Sequence, residues 1–233
     1  MGYKLKRITI RPNGTEIQVR PTWWLPSAYQ EVEYIQSTWT QLIDTWYLIT
    51  PNTEVSVDYQ FTNANSQDFV FWIGSDNFTS SWVTFCLYIW NTSWNYYFKV
   101  WISDGTNANT WKNNLLLKDT NRHTFVVNNW HSEMYDSSGT LETSISTIET
   151  FTRTARHSFW LFCWWRTDVN PARRENKTAA KLYWCTIKES WTLQRNFVPC
   201  YRKADSVIGM YDTVNNVFYT NAWTWTFTKW WDV

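Results

Sequence analysis

Glycine is scarce in this chain, six residues in 233, where a globular protein carries about 7%. The scarcity removes the glycine-rich loops that cradle phosphates between a strand and a helix. Histidine is scarcer still, and His123, His131 and His157 stand apart, with no HxH or HExxH spacing. Isolated residues of this kind support neither a zinc site nor a Cys/His nucleophile. The four cysteines, Cys86, Cys163, Cys185 and Cys200, show no CxxC spacing and sit inside strand-like runs such as "TFCLYI" and "LFCWW". They read as buried thiols, with a Cys163–Cys185 bridge as the alternative. Charge is low as well: charged residues make up 18% and sum to +1. That argues against broad phosphate neutralisation, so no nucleic-acid partner is expected. No apolar run approaches about 18 residues, so no membrane span is expected. The opening "MGYKLKRITIRPNG" lacks the apolar stretch of a signal peptide.

What remains is strand and turn. "KLKRITIRPNGTEIQVRP" is two short strands around Asn13-Gly14, a pair suited to the positive φ angles of a tight hairpin. "RPTWWLP" then reads as a linker, with Pro21 and Pro26 resisting regular structure. The domains are therefore a hairpin and linker over 1–24 and one β domain over 25–233. A short hairpin is marginal alone, so it is expected to dock on its own domain or a partner, and is a candidate for homo-oligomer contact or attachment. In "TEVSVDYQF", Val55, Val57, Tyr59 and Phe61 share one face, and Glu54, Ser56, Asp58 and Gln60 the other. The period is two throughout, and roughly ten to fourteen such runs predict an all-β, antiparallel two-sheet sandwich. The inward set is expected to include Val55, Val57, Tyr59, Phe61, Phe85, Leu87, Phe125, Val127, Leu161, Leu182, Ile187 and Phe197. Residues 119–123 and 170–176 have room for a helical turn at most.

Tryptophan is the excess that mirrors the missing glycine: there are 20. "STWTQ", "NTSWNYY", "VVNNWHSEMY", "KESWTLQ" and "NAWTWTF" place it at the joints between strands, after Asn or Ser in three of the five. Those joints call for a residue tolerant of positive φ, which is glycine's role. The doublets in "TWWL" and "KWWD" sit where a Gly-Gly linker or tail would be ordinary.

From "LPSAYQEVEYIQST" through "QLIDT" and "AKLY" to "RNFVPCYRKADSVIGMYDTVNNVFYTNA", residues 25–233 resemble the concanavalin A-like, laminin-G-like jelly-roll domains of phage and bacterial surface proteins. In that family the places held here by Trp39, Trp46, Trp130, Trp191, Trp223 and Trp225 are typically glycine. The departure runs in one direction, Gly to Trp, and suggests an alternative genetic code: UGA codons meant as glycine but read as tryptophan. The competing account is a chain truly built on tryptophan; Trp160, between Phe159 and Leu161, suits an authentic one. If the tryptophans at the joints stand for glycine, then Trp39, Trp94, Trp130, Trp191, Trp223 and Trp225 belong in turns or at strand ends, with exposed rings.

The resemblance implies a virion or extracellular surface location and a non-enzymatic module that binds a cell-surface glycan or a surface protein. A structural decoration jelly roll without a small ligand is the alternative, and a polysaccharide-degrading enzyme comes third. A retaining glycosidase would need two carboxylates about 5 Å apart in one cleft. Glu54 with Asp58, and Glu31 with Glu33, are same-face acids whose plainer role is a polar outer face. For ligand contact the candidate stretch is "NTSWNYYFKVWISDGTNANT". Tyr96 and Tyr97 offer ring faces for a sugar, and Asp104, Asn107 and Asn109 offer partners for hydroxyls. The plainer reading of the same stretch is one core Tyr, one surface Tyr and an Asp-Gly hairpin tip. No cofactor is expected; "SDN" and "SDG" are too short to argue for calcium.

Overall fold

The computed structural model describes residues 25–38, 40–62, 69–73, 84–92, 95–103, 111–112, 119–145, 152, 154–155, 157–162, 164–166, 173–175, 179–222 and 225–233. The predicted hairpin and linker over 1–24 lie outside them. Among the described residues the chain is all-β, with no helix and so none that could cross a membrane.

In chain order the strands are β1 (Tyr29–Glu31), β2 (Ile35–Thr38), β3 (Ile43–Asp44), β4 (Thr53–Phe61), β5 (Phe69–Ile73), β6 (Thr84–Thr92), β7 (Asn95–Ser103), β8 (Trp111–Lys112), β9 (Arg122–Asn128) and β10 (Ser132–Asp136). They continue with β11 (Leu141–Ile145), β12 (Trp160–Leu161), β13 (Trp164–Arg166), β14 (Arg173–Glu175), β15 (Ala179–Glu189), β16 (Thr192–Arg202), β17 (Ile208–Asp212), β18 (Val217–Thr220) and β19 (Thr228–Lys229). The large sheet runs β11-β10-β9-β4-β15-β16-β17-β18, with β1 beside β16, β2 beside β15 and β19 beside β2. The smaller sheet runs β3-β12-β5-β6-β7-β8, and β13 pairs with β14. All these pairings are antiparallel. There are more strands than the period-two pattern suggests, because segments of two to four residues at the sheet edges are too short to show a period.

The core follows from alternation. Strand β4 sends Val55, Val57, Tyr59 and Phe61 inward, where they meet Phe125 and Val127 of β9 and Leu182 and Ile187 of β15. Phe85, Leu87, Val100 and Leu161 of the smaller sheet belong to the same buried cluster. The two sheets therefore close over one core, and every residue of the predicted inward set is buried in it.

Three local expectations are corrected. Residues 119–123 form no helical turn: Asp119 Oδ1 accepts the Asn121 amide at 2.8 Å, and the chain bends directly into β9. Within 170–176, residues 173–175 are strand β14. Cys86, Cys185 and Cys200 are buried thiols, as the sequence reading has them, and Cys163 lies outside the described residues. Burial pushes the Cys200 thiol up to about 12 and moves Cys185 in the same direction. The C-terminal segment is not a loose tail either. β19 pairs with β2, the Glu33 amide donates to the Trp231 carbonyl at 3.1 Å, and Phe227 is buried in the shared core.

Candidate functional site

The face of the large sheet turned away from the core carries an ordered group of rings and charges. It starts from the outward row of β4, Glu54, Ser56, Asp58 and Gln60, which alternates with the core residues as the sequence predicts. Across the β4–β9 pairing, Asp58 stands opposite Thr124 and Gln60 opposite Arg122. Arg122 is thus a diagonal neighbour of Asp58, within reach of a long side chain. Its Nε and Nη2 donate to the two Asp58 carboxylate oxygens at 2.8 and 2.6 Å, a bidentate fork.

On the other side of β4, strand β15 changes register between Leu182 and Trp184. Leu182 faces Tyr59, Trp184 faces Asp58 and Cys185 faces Val57, so the pair Tyr183–Trp184 stands against Asp58 alone. Such a bulge re-aims a side chain, and here Tyr183 lies under Arg122, whose guanidinium carbon is 3.7 Å from the ring centroid. The Tyr183 hydroxyl donates to Gln60 Oε1 at 2.7 Å, while Gln60 Nε2 donates to the Thr120 carbonyl at 2.8 Å. Burial pushes the Tyr183 phenol up to about 12 against the pull of Arg122, so it stays a donor.

Tyr34, immediately before β2, extends the group. Its ring meets Tyr183 edge-on at 5.3 Å, and Lys181 Nζ lies 4.6 Å above its centroid. Trp230 stacks on it from the C-terminal segment, with centroids 6.1 Å apart and planes at 11°. Burial, then the nearby Glu33 charge, raises the Tyr34 phenol. The result is two phenol rings with two cations, a carboxylate and an amide on one side of a rigid sheet. Apolar ring faces can pack on C–H surfaces, and the polar atoms around them can exchange hydrogen bonds with hydroxyls.

Of the ligand contacts singled out from sequence, the described structure gives the strand positions of Tyr96 and Tyr97. Tyr96 and Tyr97 are successive positions of β7, opposite Asn91 and Trp90 of β6. Asp104, Asn107 and Asn109 lie outside the described residues. Glu54 and Asp58 do share a face, but each is tied to a cation, Lys188 at 3.1 Å and Arg122 at 2.6 Å. His123 is not isolated, as its spacing suggests: Nδ1 and Nε2 lie 2.7 Å from Glu142 and 2.7 Å from Asp119, on the buried side of β9. Among the described residues no group of three or more His, Cys, Asp or Glu is placed to hold a metal ion. Sequence reasoning missed Tyr34, Arg122 and Tyr183 because a bulge and the pairing of segments far apart in sequence bring them together. The one available signal was an aromatic residue in phase with polar ones, Tyr34 with Gln36 and Thr38 in "YIQST".

No family model matches the chain, and no curated protein matches its sequence.

Proposed function

We propose that this is a non-enzymatic glycan-binding module of a virion or cell-surface protein, reading ligand on the outer face of the large sheet. The observation that carries the proposal is the convergence of Tyr34, Tyr183, Arg122, Lys181, Asp58 and Gln60 there. A pyranose presents an apolar C–H face and a rim of hydroxyls, and rings and polar atoms are the residue types that recognise them. Lys181 is the movable part, a long chain laid over Tyr34, and a sugar would take its place on the ring. The resemblance to laminin-G-like jelly rolls, with the adhesive role it implies, supports the same reading, and residues 1–24 are the segment proposed for attachment or homo-oligomer contact.

A second reading has one observation in its favour. Tyr34 and Tyr183 are each only 5% exposed, and Asp58 and Gln60 are already satisfied by protein partners. A structural surface jelly roll with no small ligand would carry this group as a sheet-stiffening network.

A glycan array separates the two. The binding reading expects retention of a defined set of glycans, weakened at least about tenfold by Tyr34→Ala, a change that removes one ring platform. Tyr183→Phe, which removes only the hydroxyl, is expected to weaken binding less. An array with no retained glycan, or one on which Tyr34→Ala binds as the parent does, leaves the structural reading.

A further inference from the structure

Among the described residues, seven other than glycine have positive φ: Trp46, Phe162, Ser190, Trp191, Ser206, Asn216 and Trp225. Ser and Asn are short, and Asn is enriched in the left-handed region, but a bulky residue there is an outlier that its surroundings must hold in place. Phe162 has such surroundings. It is fully buried, and its ring packs at 5.7 Å from Tyr59 and 5.3 Å from Phe227. The three tryptophans do not: Trp46 is 75%, Trp191 86% and Trp225 79% exposed. Their rings face water, so core packing cannot be what selects an indole at these positions.

The local backbone says what is wanted instead. Glu189 of β15 pairs with Thr192 of β16, leaving Ser190-Trp191 as a two-residue hairpin loop with φ of 47° and 65°. Two positive φ angles define the type I′ turn, whose second position is glycine's. At Trp46, φ is 54° and the amide is held by Asp44 Oδ1 at 2.9 Å, a side-chain-closed turn. At Trp225, φ is 67° and the carbonyl accepts Asn221 Nδ2 at 2.6 Å. Trp160 is the counter-case, buried in β12 and packed with Leu42. The division follows backbone geometry and not sequence neighbourhood, and it coincides with the missing glycine of the composition.

We infer that residues 46, 191 and 225 are glycine in the native protein, encoded by UGA in a genome that reads that codon as glycine, while Trp160 is a true UGG tryptophan. The assignment does not depend on the glycan reading. It is tested first by the codons and by peptide masses of the protein from its source. UGA at 46, 191 and 225 with glycine masses is the expected result; UGG at any of the three, or a tryptophan mass over residue 191, overturns it. The recombinant chain gives an independent check. The Trp46→Gly, Trp191→Gly, Trp225→Gly triple variant is expected to keep or raise the thermal midpoint, whereas Trp160→Gly lowers it by several degrees. A midpoint that falls as far in the triple variant as in Trp160→Gly contradicts the inference.

Discussion

Asp58 is a carboxylate taken out of water on the solvent side of a sheet, and Arg122 holds it there. The carboxylate is 7% exposed and the guanidinium 36%, so the anion has lost its hydration while the cation keeps part of its own. Asp58→Asn preserves shape but turns one charge-assisted acceptor into a donor facing a guanidinium. Breaking a fully buried pair costs about 3–5 kcal/mol; because Arg122 still reaches solvent, the expected loss is about 1–2 kcal/mol. Urea denaturation measures it, and a loss under about 0.5 kcal/mol would class the pair with ordinary surface ion pairs. The same weighing separates the residues at positive φ. Phe162 offsets its backbone cost with buried contacts, whereas Trp191 exposes a large ring and gains no such contact.

At the scale of the element, what sequence could reveal depended on whether the determining contact was local. The alternation in β4 is a property of nine consecutive residues, and the structure puts its four apolar members in the core, with Ser56 and Asp58 of the opposite phase covered as well. The bulge in β15 is only half local: "AAKLYWCTIKE" switches its core phase from Ala180 and Leu182 to Cys185 and Ile187 across an apolar run of four, and the extra residue is placed only against β4. Tyr183 therefore came to the outer face unannounced, and with it the ring under Arg122. The closing strand was hidden for a similar reason. β19 pairs with β2, far back in the chain, and the surrounding tryptophans obscure any strand pattern. Its anchor is Phe227, only 2% exposed, against Phe162 of the core. Phe227→Ala is expected to lose about 3–5 kcal/mol and to free the segment after it, read as earlier proteolysis near the C-terminus. Unchanged stability would mean that the segment contributes nothing to the core it touches.

For the whole molecule, the question is whether a large sheet and a smaller one behave as one body. The buried cluster is continuous across them, with Phe125 of β9 and Phe85 of β6 both in it. Neither sheet has another apolar layer of comparable size among the described residues: the separate buried cluster there consists of Leu42 and Trp160. A sheet with one bare inner face is not stable in water, so each depends on the other for burial. Phe85→Ala and Phe125→Ala should then weaken the same transition, each by about 3–5 kcal/mol, although they sit in different sheets. Far-UV circular dichroism reports both sheets, and intrinsic tryptophan fluorescence reports the indoles spread over them. A single cooperative unit requires the two signals to unfold at one midpoint in the parent and in both variants. If Phe85→Ala instead splits the transition, with an early step in one probe and an unchanged late step in the other, the large sheet has a stability of its own and the smaller one is docked onto it.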